Sequence, residues 1–478
     1  MGHEILKKEK EFEAYCNELV EKYQIPGYAI GLAKNGKLFY EGGFGFRDKE
    51  NQLPLSSDTV FGIGSVTKSF TCVAILQLQE AGKLSVHDLV IKYLPEFKTN
   101  NDEFTKQMTI HHFMTHSAGF PPLPNLYGAM SKTLAKDPKF EDGNEEQKTP
   151  EIPYIASYEE LMECIGKGEY TLLGAPGTEF SYSNDCYALL GAVVERVSGI
   201  SYEKYMKDFI LEPAGMKHSV FHLHDLDGHK DISNLYNTRK KDDETIVFES
   251  NNQWDAPSMR AAGFLKSTVN DMLKYTEIFR NGGKVGNAQI LTPESVEAMT
   301  TPYIQCGYDE FYGYGVMITP DFYGYKLIEH GGSIKGVAAQ MNIIPELGLT
   351  GFSIANLAGV PSKKLLNCAF ADYLEKPLKS SHVNVTEKNL SVDQLKEYVG
   401  QFVSGEGGKV DFSINDDGKL CAKMEGMVDS VVRPIAEDWF LFEMREEEYA
   451  IRFRRDEEGK IIRCAFGFRQ LAKTELGG

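Results

Sequence analysis

The 478-residue chain contains no apolar run approaching the ~20 residues that a membrane-spanning helix needs, and the Lys- and Glu-rich stretch from Met1 to Gln24 lacks the apolar core of a signal peptide. A cytoplasmic protein is expected. An excess of basic residues is also missing: 69 acidic side chains stand against 51 basic ones, and a net charge of -18 repels phosphate backbones and anionic lipid alike. Neither nucleic acid nor a membrane surface is an expected partner. The eight cysteines (Cys16, Cys72, Cys164, Cys186, Cys306, Cys368, Cys421 and Cys464) are scattered singly, without the close pairs of zinc sites or redox motifs. Free thiols, no metal and no cofactor follow as expectations. There is no internal repeat and no low-complexity tract.

What is present is the composition of a globular protein, 42% hydrophobic, 25% charged and 11% aromatic, on a chain long enough for two domains. From Phe12 to about Leu374 helical patterns mix with short strand-like runs, which predicts an α/β or α+β domain over residues 1–376. Ala29 to Ala33, Asn35-Gly36 and Lys37 to Tyr40 spell a strand, a turn and a strand. Ser65 to Gln79 predicts a helix that is apolar on most sides, with Gly82 placed to end it. Residues 120–174 form a long insertion whose charged middle, Asp137 to Pro153, suits a surface lid. A polar linker over 377–392 precedes alternating short strands, such as Tyr449, Ile451 and Phe453 against Arg452 and Arg454, so 393–478 is expected to be a small antiparallel β domain.

Serine followed three positions later by lysine occurs twice, at Ser65-Val66-Thr67-Lys68 and at Ser201-Tyr202-Glu203-Lys204. The second opens a helix with a charged face, where capping is the simpler explanation. The first follows Gly62-Ile63-Gly64 and opens the apolar helix, which places the hydroxyl at a positive helix end inside the protein with the Lys68 amine on the same face. Burial would depress that lysine's pKa and let it take the serine proton. On position alone, an N-cap explains Ser65 as well as a nucleophile does.

Tyr182-Ser183-Asn184 and His330-Gly331-Gly332 break the tie, because with Ser65 and Lys68 they resemble the serine β-lactamase and penicillin-recognising superfamily. The resemblance is to its class C β-lactamase-like branch of D-aminopeptidases, DD-peptidases and esterases, and extends over the blocks Phe61 to Phe97, Met108 to Gly119, Ala175 to Gly199, Ala262 to Asp271 and His330 to Asn356. It implies an α+β fold, an antiparallel sheet flanked by helices plus a helical lobe, followed by a small lipocalin-like β-barrel that Tyr398 to Phe402 would open. It also implies roles: Ser65 as nucleophile, Lys68 as proton relay, Tyr182 as general base and later acid, and Asn184 to position Lys68 and the substrate carbonyl. Tyr182 would need a nearby cation such as Lys68 to favour its phenolate. The oxyanion donors would be the backbone N–H groups of Ser65 and Ser333, with Gly331 and Gly332 letting substrate backbone approach.

His330 stands where the antibiotic-hydrolysing members carry lysine, so weak or absent β-lactamase activity is expected. His111, His112 and His116 cluster, and His222 and His224 are spaced like strand neighbours, without ligands that complete a metal site. The resulting expectation is a serine peptidase of short, D-residue-containing peptides, forming homo-oligomers. A carboxylesterase with the same residues is the alternative, and a non-catalytic binder of peptides or peptidoglycan fragments is a third reading.

Overall fold

The computed structural model describes residues 6–138, 152–226, 228–241, 244–383, 385–424 and 429–474. Two nine-stranded antiparallel sheets organise it. The first runs, edge to edge, Ile304–Gln305, Phe311–Tyr312, Met317–Phe322, Tyr325–Ile334, Val337–Ile344, Leu349–Ala355, Gly27–Lys34, Lys37–Asp48 and Leu53–Pro54. The expected hairpin is its near end, turning at Asn35 and Gly36. Strand Val337–Ile344 is buried at every position, as befits a strand covered on both faces.

One face is covered by helices Glu9–Lys22 and Ser362–Tyr373, which share a core of Phe12, Leu19, Leu366 and Phe370 with the sheet. The other carries helix Val269–Arg280, whose Val269 and Leu273 fill the space above Gly31, and behind it the helical lobe. Helix Thr67–Glu80 is the lobe's centre: Phe70, Val73, Ala74, Ile75 and Leu76 are all fully buried, and Phe70 stacks on Tyr275 at 3.6 Å. It ends at Gly82, in the left-handed region at φ 67°, as expected.

The second sheet runs from Ser430–Val431 through Leu420–Met424, Lys409–Ile414, Gly400–Val403, Arg469–Lys473, Ile461–Phe466, Glu447–Arg455 and Trp439–Met444 to Arg433–Ala436. Its two edge strands are separated only by Val432, so the sheet curls into a nearly closed barrel around Phe402, Phe412, Phe440 and Phe453. The alternation at Ile451 and Phe453 points inward, as anticipated. The barrel is fastened to the first unit by Glu179, which accepts from Arg454 at 2.8 Å and Arg463 at 2.9 Å, and by Gln470, which donates to the Phe180 carbonyl.

Of the insertion, helices Asn125–Leu134 and Tyr158–Lys167 are described, while the charged run over 139–151 lies outside the described residues. All eight cysteines are free thiols. Among the described residues no helix is long and apolar enough to cross a membrane, and no group of His, Cys, Asp and Glu is arranged to hold a metal ion.

Candidate active site

Ser65 lies in a 3₁₀ turn, Gly64–Val66, that leads directly into helix Thr67–Glu80. The sequence predicted a helix from Ser65 itself; the tighter turn serves the same end, because 3₁₀ geometry eclipses positions three apart. Lys68 Nζ thereby comes to 3.2 Å from Ser65 Oγ. Neither the turn nor the helix has a side-chain cap, so capping does not account for Ser65. Ser201, in contrast, accepts from the Lys204 amide at 3.3 Å and is a helix cap.

Lys68 is fully buried. Its Nζ lies 2.8 Å from Asn184 Oδ1 and 2.5 Å from the Ala262 carbonyl, both of which can only accept. Burial, reinforced by the Arg469 guanidinium, drives its pKa well below the ordinary lysine value. A neutral amine has two N–H bonds and one lone pair. With both N–H bonds taken by Asn184 and Ala262, the lone pair is left facing the Ser65 hydroxyl.

Asn184 is the first residue of helix Asn184–Ser198, and Ser183 caps that helix by accepting from the Cys186 amide. The cap fixes the chain direction so that Tyr182 and Asn184 both reach the cavity beside Ser65. Tyr182 is buried, with Lys68 Nζ 4.7 Å from its ring centroid. Burial pushes its phenol up to about 12, while the Ser65 hydroxyl and Arg469 pull the other way. The Arg469 guanidinium is a permanent cation facing this ring, and the resting tyrosine is a phenol.

His330 lies on strand Tyr325–Ile334. Its Nδ1 donates to the Gly331 carbonyl at 2.6 Å, which fixes the tautomer and leaves Nε2 to accept from Tyr312 Oη at 2.9 Å. Burial pushes its pKa down to about 3, with the Gly331 bond opposing. It is a neutral ring.

The two glycines after it differ. A Cβ on Gly332 would stand 2.0 Å from the Ile63 carbonyl oxygen, and one on Gly64, at φ 54°, would stand 2.6 Å from the Ser333 amide nitrogen. Gly332 thus admits the protein's own backbone on its Cβ side, and the contact presses the Ser65 turn against the Ser333 amide. Beside Gly331 a Cβ would meet the Gln340 amide oxygen at 3.3 Å and the Ala339 carbonyl at 3.9 Å, both ordinary or nearly ordinary contacts. Strand Met317–Phe322 pairs with this strand no further than Glu329, so from His330 to Ser333 one edge has no partner strand among the described residues and borders the cavity.

That cavity, about 460 Å³, is lined by Ser65, Tyr182, Asn184, His330, Gly331, Gly332 and Ser333, with Lys68 beneath Ser65. All the sequence-predicted positions converge. Sequence reasoning did not name the barrel residues that reach the cavity. The turn between strands Ile461–Phe466 and Arg469–Lys473 enters the cavity: Phe468 stacks on Tyr182 at 6.1 Å, and the Arg469 guanidinium lies 4.8 Å from the same ring centroid, held by Glu406 at 2.6 Å. His116, one of the clustered histidines without a metal site, packs on Tyr182 at 4.1 Å while its Nδ1 accepts from the Ser183 amide. His222 and His224 stack on each other at a 3₁₀ turn rather than along a strand. Leu126 and Met130 of the insertion form another wall, and the insertion is tied down by Asn125, which donates to Asp185 at 2.7 Å.

A half-buried serine whose hydroxyl faces a buried lysine of strongly depressed pKa, with a tyrosine and an asparagine alongside, is the arrangement of a serine hydrolase that works by acyl transfer. The β-lactamase family model matches residues 12–367, well over half of the chain, and the chain belongs to that family. It is 26% identical over 406 residues to the human mitochondrial serine β-lactamase-like protein LACTB, covering 69% of this chain and 71% of that one. It is 32% identical over 202 residues to protein Flp of Staphylococcus aureus, a match to 42% of this chain that spans about a third (36%) of Flp's length. The octameric penicillin-binding protein homologue from Pyrococcus abyssi superposes with a TM-score of 0.68 at 28% identity, over 97% of this chain and 99% of that one. SurE crystallised with D-Leu superposes at 0.66 and 22% identity over the same shares, a likeness of fold that includes the barrel.

Proposed function

We propose that this protein is a serine peptidase of short peptides, those containing D-residues first among them. The observation that carries the reading is the buried Lys68 amine, 3.2 Å from Ser65 Oγ and donating to Asn184 Oδ1 and the Ala262 carbonyl. As Ser65 Oγ attacks a carbonyl carbon its proton passes to Lys68, and the developing oxyanion is met by the N–H groups of Ser65 and Ser333. The Tyr182 phenol gives its proton to the departing amine and is restored from the Lys68 ammonium. Water then attacks the acyl-Ser65 ester with the same pair acting in reverse.

Peptides are favoured over simple esters by the unpaired strand edge from His330 to Ser333, which offers backbone hydrogen bonds to an extended chain laid beside Ser65. A carboxylesterase remains the second reading, favoured by the apolar wall of Leu126, Met130, Trp254, Phe264 and Phe468. The neutral His330 offers no charge to a β-lactam carboxylate, so β-lactam turnover is expected to be weak. The D-residue preference draws on the family resemblance and on the fold shared with SurE crystallised with D-Leu. A cytoplasmic homo-oligomer is proposed with it, the relative from Pyrococcus abyssi being octameric.

The test is mass-spectrometric cleavage of matched L- and D-residue peptides by wild type and Ser65→Ala. Cleavage that vanishes in the variant supports the peptidase. No peptide cleavage, with Ser65-dependent turnover of activated esters, supports the esterase. Failure of a serine-directed phosphonate to label Ser65 would point to a binder.

A further inference from the structure

We propose that the acidic end of this cavity, where Glu310 and Glu447 stand around Lys363, is a binding site for a primary ammonium group of the substrate. The proposal rests on the hydrolase reading above and names its substrate class.

Two carboxylates hold one lysine there, and a third lines the same cavity. Lys363 donates to Glu310 at 2.9 Å and to Glu329 at 3.1 Å, and the second oxygen of Glu329 accepts from Gln340 at 2.7 Å. Those two acids are provided for. Glu447, at the start of strand Glu447–Arg455, lines the same cavity and is only 8% exposed, yet its Oε1 has no hydrogen-bond partner among the described residues. Its neighbours are already engaged: Glu446 with Lys22 at 2.5 Å, and Glu448 with Arg433 and Ser381.

Other charged or titratable groups nearby are Lys364, Lys379, His382, Glu443, Tyr15, Tyr323 and Cys368, which line an adjoining cavity of about 260 Å³ that Glu447 also borders, and Arg445 and Tyr449, which border the main cavity. The Arg445 guanidinium lies against Gly359. Leaving a carboxylate buried without a donor is costly. Burial accordingly pushes Glu447 up to about 7, with Glu329 and Glu310 adding to the rise and Lys363 and Lys364 opposing it. An ammonium group brings both the missing charge and up to three donors in a compact head.

Register sets the reach. Glu329 precedes Ser333 by four residues on one strand, roughly 13 Å at ~3.3 Å per residue. A chain extended along the free edge with its carbonyl at the Ser333 amide covers that distance in about three to four residues. The ammonium is therefore a free amino terminus about three residues from the cleaved bond, or a lysine-like side chain hung nearer to it.

The experiment uses the full-length protein and three matched tripeptidyl thioesters: a free amino terminus, the same peptide N-acetylated, and the N-acetylated peptide carrying lysine. An uncharged activated ester with wild type and Ser65→Ala, together with phosphonate labelling, first establishes Ser65 chemistry; absence of both sinks the hydrolase reading and this proposal with it. Given that chemistry, KM for the free-amine substrate is expected to be about tenfold or more below that of the N-acetylated one, the size of one charged hydrogen bond. In Glu447→Gln, a near-isosteric change whose folding the phosphonate label verifies, the ratio falls toward one. Restoration of low KM by the lysine-bearing peptide assigns the ammonium to a side chain, and restriction to the free terminus assigns it to the chain end. Equal KM values for free and acetylated peptides in wild type, or a ratio that Glu447→Gln leaves intact, overturns the proposal.

Discussion

Lys68 Nζ and Ser65 Oγ are 3.2 Å apart, and the lysine's remaining contacts are to oxygens that can only accept. The chemistry of the pair therefore depends on a neutral amine. Lys68→Arg, permanently charged, is predicted to lose turnover as fully as Lys68→Met, by about 10²–10⁴-fold for an activated ester. A variant retaining more than a tenth of wild-type kcat would contradict this.

The same burial makes stability depend on pH. Lys68 is depressed in the folded state, so in the window from its folded value up to ~10.4 the unfolded chain binds the extra proton and this group's contribution rises with pH. From pH 7 toward pH 10, wild-type Tm is predicted to rise relative to that of Lys68→Met. Parallel curves would mean that the lysine is charged in its site.

Arg469 lowers the pKa of both Lys68 and Tyr182. Removing its charge in Arg469→Gln lets both rise. The acid limb of kcat/KM, which reports deprotonation of the free enzyme's base, is predicted to move to higher pH, measured with an uncharged ester so that substrate charge does not enter. A uniform loss of rate without that shift would reduce Arg469 to a packing role.

Gly332→Ala places a methyl 2.0 Å from the Ile63 carbonyl, whereas at Gly331 the nearest atom is the end of the Gln340 side chain at 3.3 Å. Gly332→Ala is predicted to cost about 1–3 kcal/mol in denaturant unfolding and to lower kcat by moving the Ser333 amide, with Gly331→Ala closer to wild type. Equal effects would show that the backbone contact behind Ser65 is not tight.

Phe468 enters the cavity from the barrel and stacks on Tyr182. Phe468→Ala is predicted to lose about 0.5–1.5 kcal/mol of aromatic packing and to widen the cleft, so that cleavage of longer peptides rises relative to that of tripeptides in a length series. An unchanged length preference would place the limit elsewhere, on the wall formed by Leu126 and Met130.

Much of this molecule was determined by local sequence. The hairpin at Asn35-Gly36, the apolar helix ended by Gly82, the cap at Ser201 and the alternation at Ile451 and Phe453 all depend on residues within a few positions of one another. Ser65 and Lys68 meet because they are three residues apart, and the spaced motifs at Tyr182 and His330 were legible through family resemblance. Tertiary structure alone decided the rest. Phe468 and Arg469 reach Tyr182 across some 286 residues of chain, and Glu447 comes to line one cavity with Lys363, through the docking of a barrel whose short strands carry no signal of what they will touch. Protonation was decided the same way. The amino-acid types give a lysine, a tyrosine and a histidine their ordinary pKa values, and only burial, which sums the packing of many distant residues, lowers the lysine, keeps the tyrosine a phenol and holds the histidine neutral.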